Sequence, residues 1–185
     1  MSLSNFESFL YAFGATRLLL QRAHEHGFLI EGLMLYALIV GGFCRICMVL
    51  KEQIDKESEK INEKYIYQGS GKSAISEREI YRLTLNNGVI SKKLFNELND
   101  LYNIRNKLVH RFFISKIEYS NLESVCARYE HVYNQFREIT YDLEEDQIRK
   151  NVGMTRKGRK LNREEKTKIN IDTQRGILGK IKTLK

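Results

Sequence analysis

The sequence predicts an all-α protein: an antiparallel bundle of about five helices, followed by a basic C-terminal extension. Three observations carry this expectation. The chain of 185 residues contains no proline, the residue that most often breaks a helix interior. Strand-like alternation is scarce, whereas apolar residues recur at spacings of three, four and seven, as on one helix face. Ser76 with Glu79 and Ser120 with Glu123 each stand directly before such an apolar series, in the spacing of a capping box. The length suits one domain with something added, which divides the chain into a helical domain, 1–150, and a basic tail, 151–185.

Taken in order, the first helix runs from Leu3 to about Ala23, with Phe6, Phe9, Leu10, Phe13, Leu18 and Leu20 as its apolar contacts. His24-Glu25-His26-Gly27 closes it. Gly27 serves as the C-terminal cap, and the histidines sit near the negative helix end. The second helix is expected from Phe28 to about Tyr67. Its first half, Phe28 to Leu50, is apolar enough to raise a membrane span, which needs about 20 such residues. Glu31 and Arg45 interrupt that run and no positive cluster flanks its start, so a central helix buried on several sides is preferred and no membrane is expected. Gly41 and Gly42 would let another helix approach closely. The charge-dense second half, Lys51 to Lys64, reads as largely solvated.

Gln68 to Ser73 reads as a connector. Its Gly71-Lys72-Ser73 resembles the end of a phosphate-binding loop, but position 66 is Ile66 where such a loop needs glycine, and no strand precedes it. A short third helix starts at Ser76 and ends at Asn86-Asn87-Gly88. Ser91 opens the fourth, which extends to about Ile114. The fifth follows Ser120 to near Lys150, with Leu122, Val125, Cys126, Tyr129, Val132, Tyr133, Phe136, Ile139 and Leu143 on one face.

Charge is unevenly placed. Residues 1–148 hold 18 Lys/Arg against 20 Asp/Glu, while residues 149–185 hold 13 against 3. The basicity therefore belongs to the tail, where Arg156, Lys157, Arg159, Lys160 and Arg163 are candidate nucleic-acid contacts; a solvated charged end is the plain alternative. Cys44, Cys47 and Cys126 form no disulfide framework, and the segment Met1 to Glu7 has no basic start of a secretory signal. A reducing cytoplasm is the expected location. Cys44 and Cys47, three apart in an apolar helix with no second pair beyond His24 and His26, read as core filler rather than a zinc site. Arg45, in the same run, is expected to pair with Glu31 or another carboxylate, or to add positive charge to a cleft.

Chemistry concentrates in Leu101 to His110. Leu94, Leu98, Leu101, Leu108 and Phe112 trace one face of the fourth helix, and Arg105 falls in that series. A guanidinium on a core-facing seam is costly unless something anionic or well hydrogen-bonded meets it. Within six residues stand an always-charged donor (Arg105), an amide (Asn106) and an imidazole that titrates near neutrality (His110). The structural alternative pairs Arg105 with a carboxylate such as Glu97 or Asp100 and leaves His110 as a satisfied buried histidine.

Five helices with Arg105, Asn106 and His110 late in the fourth resemble the HEPN domains, small helical bundles of prokaryotic defence and toxin–antitoxin systems. Their mark is an arginine, usually a polar residue after it, then a histidine beyond a spacer of four to six. The resemblance covers roughly residues 3–148. It implies a metal-independent endoribonuclease that needs no cofactor, or a catalytically inactive relative that binds RNA or a protein partner. His110 would be the acid or base, Arg105 the phosphate clamp and Asn106 the orienting group. The resemblance also implies a homodimer with both motifs lining one cleft, and an antitoxin or nucleotidyltransferase partner. Where one subfamily carries a tyrosine that receives adenylyl groups, this chain has Phe112, which puts that route of control in doubt. Arg105 and His110, five residues apart, point about 140° apart on an ideal helix, whereas Asn106 and His110 share a face.

Overall fold

The computed structural model describes residues 4–67, 75–111 and 119–154, and of residues 109–111, 119 and 120 it describes the backbone alone. These residues form five α-helices and a short 3-10 turn, with no strand among them. The helices are α1 (Asn5–Glu25), α2 (Leu29–Asp55), α3 (Glu77–Asn86), α4 (Lys92–Arg111) and α5 (Tyr119–Lys150). The protein is thus all-α, its helices packed as a bundle around α2.

Local chemistry explains most boundaries. Ser4 and Glu7 form a reciprocal capping box at the start of α1. At its end Gly27 takes a φ of +68°, and the amides of Gly27 and Phe28 return to the carbonyls of His24 and Ala23. The ring of His24 lies against Tyr36 and that of His26 against Phe28. Ser76 accepts the Glu79 amide to start α3, and Gly88, at φ +67°, closes it as expected. Ser91 caps α4 by accepting the Leu94 amide. The described α5 already includes Ser120 in its first turn, so Ser120 is a helical residue and not the cap that the sequence suggested.

The second helix ends earlier than expected. It stops at Asp55, where Glu57 adopts a left-handed φ of +48° and the Ser58 amide bonds back to the Gln53 carbonyl. Lys51 to Lys64 is largely exposed or half-buried, as expected, with two exceptions. Gln53 is 1% exposed, donates to the Glu59 carbonyl and accepts from Gln147, while Ile54 is also buried. The chain then folds back to bury Tyr65 in the core. Burial of Tyr65 and the Gln53–Gln147 pair stabilise the turn more than extra helical residues with nothing to cover.

Consecutive helices α1–α2 and α3–α4 run antiparallel, as expected of such a bundle. By contrast α5 runs parallel to α2. Cys126 meets the Leu29 carbonyl, Tyr129 and Tyr133 meet Tyr36, Phe136 meets Phe43, Thr140 meets Cys47, and Gln147 meets Leu50 and Gln53. Aromatic rings dominate this seam, and each well-placed pair adds about 0.5–1.5 kcal/mol beyond area burial. The apolar face expected on α5 is the face buried there: Leu122, Val125, Tyr129, Val132 and Phe136 are buried, and Cys126, Tyr133, Ile139 and Leu143 pack against them. On α1 the fit is looser, since Leu10 is exposed, Leu20 and Ala23 are buried and Phe13 is partly buried against the core. Helix α2 is long and apolar enough to cross a membrane, and most of its apolar stretch is buried against its neighbours. Beyond α5, Asn151 takes a left-handed φ, Gly153 lies against the Gln147 side chain, and Met154 packs on the core.

The two central glycines differ. A Cβ on Gly42 would lie 2.6 Å from the Phe13 ring, so Gly42 is where α1 approaches closely. A Cβ on Gly41 meets nothing within 4 Å. Gly42→Ala is therefore expected to destabilise the fold by roughly 1–3 kcal/mol through overpacking. Gly41→Ala should stabilise it by about 0.5–1 kcal/mol through helix propensity. Chemical denaturation of both variants checks the opposite signs.

Candidate functional site

Helix α4 presents Leu94, Leu98, Leu101 and Leu108 to the core, and Arg105 lies in the same seam with its side chain 14% exposed. The anion that satisfies it is Glu77, the first residue of α3, at 2.5 Å from Nη1 to Oε2. The expected carboxylates serve elsewhere. Glu97 and Asp100 both bind Arg128 of α5, from a more open position. The loop turn at Gly88 brings Glu77 back alongside Arg105, a pairing across 28 positions that spacing on one helix does not reveal.

Glu77 is held from several sides. Its carboxylate accepts the Tyr81 hydroxyl one turn along α3. It stands in the first turn of that helix, where the dipole favours an anion. The charge of Arg45 also faces it. Burial alone would lower the Arg105 guanidinium, but the hydrogen bond and charge of Glu77 outweigh burial and raise it. Tyr81 is buried and pushed well above its ordinary range, first by burial and then by the charge of Glu77.

Arg45 does not pair with Glu31. Its Nη1 donates to the Tyr65 carbonyl at 2.6 Å and its Nη2 to the Ile75 carbonyl at 2.8 Å. One guanidinium thus ties the chain leaving the 3-10 turn to the chain entering α3, and so fixes where Glu77 begins. Its burial lowers the pKa of Arg45.

The other motif residues divide by what is described. Asn106 accepts from Arg105 Nη2 at 3.0 Å, so the amide and the guanidinium form one unit. Helix α4 is continuous through Arg105 and His110, so these positions keep their separation of about 140° while His110 follows Asn106 by one turn. The His110 side chain, Phe112, Gly71-Lys72-Ser73 and the tail residues Arg156, Lys157, Arg159, Lys160 and Arg163 lie outside the described part. At the outer edge, Arg105 and Arg78 both lie over the Tyr102 ring, at 4.8 and 5.0 Å from its centroid, and Arg78 reaches Asn103. Behind the site, the Tyr129 hydroxyl is buried without a hydrogen-bond partner among the described residues.

Sequence reasoning singled out Arg105, Asn106 and His110, and did not single out Glu77 and Tyr81, which the structure joins to Arg105. The signal for Glu77 was only its place after the Ser76 cap. Tyr129 was visible solely as one apolar position on α5. Cys44 and Cys47 are buried in the core, Cys47 against Thr140, and no group of three or more His, Cys, Asp or Glu converges among the described residues. The chain matches no family model, no curated protein and no solved structure.

Arg105→Ala leaves the Glu77 carboxylate half-buried and short of its partner, so it should cost roughly 3–5 kcal/mol of folding stability. Arg128→Ala, whose partners are more open, should cost no more than about 1 kcal/mol. Urea unfolding of the two variants against the parent chain distinguishes them.

Proposed function

We propose that this chain is a metal-independent RNA endonuclease of the HEPN type, acting as a toxin or defence effector in the cytoplasm. The observation that carries the reading is the hydrogen-bonded Arg105–Asn106 unit on the same helix as His110, with Asn106 one turn before it, in a five-helix bundle. RNA supplies its own nucleophile. The 2′-hydroxyl attacks the adjacent phosphorus, the P–O5′ bond breaks, and the proton lost from O2′ is balanced by one gained at O5′. The products are a 2′,3′-cyclic phosphate and a 5′-hydroxyl. The protein must supply proton transfer near neutrality and a cation for the phosphorane charge. His110 takes the first role and Arg105 the second, with a planar fork suited to two phosphate oxygens. Asn106 orients the guanidinium.

The separation of about 140° between Arg105 and His110 on one helix favours a homodimer that pools two motifs in one cleft. An antitoxin or nucleotidyltransferase would hold such an activity in check. A second reading, a catalytically silent scaffold that binds RNA or protein, draws on the Arg105–Glu77 pair, which already satisfies the guanidinium.

Purified protein with single-stranded RNA in EDTA tests the two. Cleavage that survives chelation and falls by about 10²–10⁴-fold in His110→Ala supports the nuclease. Intact RNA in the presence of a folded protein supports the scaffold, and a monomeric mass by light scattering at working concentration removes the shared cleft.

The basic tail is assigned to the phosphate backbone. Because Met154 packs on the core, the truncation that tests this removes residues 155–185. RNA affinity should then fall and its dependence on salt flatten, since each lost phosphate contact removes about 0.7 from the slope for single strands. Unchanged affinity and slope by fluorescence anisotropy would remove the tail's role.

A further inference from the structure

Helix α2 is covered on most sides, and the side left open carries a pattern. Helix α1 closes on it at Gly42, and α5 along Tyr36, Phe43 and Cys47. Away from these contacts, Ile30, Met34, Leu38 and Gly41 follow one another at spacings of four and three, which places them on one stripe. Ile30 is 42% exposed and Leu38 62%, the highest value for a large apolar side chain among the described residues. A Cβ on Gly41 would meet nothing within 4 Å. Single exposed apolar residues are ordinary, but an aligned row on the central apolar helix is a surface with something to cover.

We propose that the occupant of this stripe is the chain's own C-terminal segment, Ile177 to Leu184, seated on it as a short amphipathic helix. The pattern of that segment fits the seat. Ile177, Leu178, Ile181 and Leu184 recur at the spacing of one helix face, with Lys180 and Lys182 on its two edges. Exposed Glu31 borders the stripe and complements those lysines. Gly179 weakens such a helix on its own, so a surface to pack on is what it needs. Length fits as well. The described chain ends at Met154, and Gly153 before it lies against Gln147, which bonds to the Leu50 carbonyl near the end of α2. From Leu50 back to Leu38 is about 18 Å along the helix. A flexible chain the length of residues 155–176 spans about 25 Å, so it bridges that distance and holds the segment at an effective concentration near millimolar. Size favours this occupant over a second copy. Two large exposed side chains with Met34 between them fall far short of the roughly 800 Å² that each partner buries in a stable dimer, whereas two helical turns cover them. Seating also closes the basic run Arg156 to Lys168 into a loop on the body that carries Arg105. The assignment concerns how the tail is held, and it stands whether or not RNA is cleaved.

Hydrogen exchange of the full chain, read by mass spectrometry, tests the seat. Amides of 177–184 are expected to exchange about tenfold more slowly than those of 155–176, relative to their intrinsic rates, the factor for a segment seated about nine-tenths of the time. Leu38→Glu should remove that protection while keeping the parent's melting transition by circular dichroism, because Leu38 is mostly exposed. Ile181→Glu, which leaves the bundle untouched, should remove the protection equally. On mild oxidation, the double variant Leu38→Cys, Ile181→Cys should form a disulfide between positions 38 and 181 within one chain. No protection of 177–184, or protection that survives Leu38→Glu, overturns the seat. Should Leu38→Glu not fold, the cysteine pair decides, and the absence of the 38–181 bond overturns the seat. Protection or a 38–181 bond that appears only as protein concentration rises also overturns it, since the stripe is then covered by a second copy.

Discussion

Two guanidinium groups taken largely out of water set the terms for the half of the bundle that carries the candidate site. Arg105 lies in the leucine seam of α4, and Arg45 lies in the apolar run of α2. Neither can lose its proton, so each must be met by oxygen atoms. Arg105 is met by a carboxylate from α3 and Arg45 by two carbonyls, one on either side of the segment that leads into α3. The position of α3 follows from both. Its first residue is aligned by Arg45 and anchored by Arg105, while Ile80 and Tyr81 complete the core beneath it. Without Glu77 the Arg105 cation would be buried with no counter-charge, which is unfavourable.

The other half is held by aromatic packing. Tyr36 and Phe43 of α2 meet Tyr129, Tyr133 and Phe136 of α5, and Phe13 of α1 closes on Phe43 over the bare backbone of Gly42. The Tyr129 ring stacks with Tyr36 in the aromatic seam, and its hydroxyl is buried with no hydrogen-bond partner among the described residues.

For function, the ion pair cuts both ways. A guanidinium fully satisfied by Glu77 is a good structural element and a weak phosphate receptor. The same guanidinium is the group that the proposed nuclease needs for its phosphate. Asn106, one turn before position 110 on α4, is hydrogen-bonded to Arg105, a link that a straight helix alone could not supply.

Periodicity and capping residues by themselves determined the all-helical class, the apolar faces of α4 and α5, the stops at Gly27 and Gly88, and the awkwardness of Arg105 on its seam. These are local properties, settled by spacing along one helix and by which residues tolerate a cap. Tertiary structure decided what spacing does not encode. It ended α2 at Asp55, because Gln53 and Tyr65 found partners across the bundle. It gave Gly42 a contact and left Gly41 open, because only one faces α1. It sent Arg45 to carbonyls instead of Glu31 and matched Arg105 with Glu77 instead of Glu97 or Asp100. A sequence shows that a buried charge needs a counter-charge; which of several carboxylates answers depends on how the helices cross, and only the folded bundle specifies that.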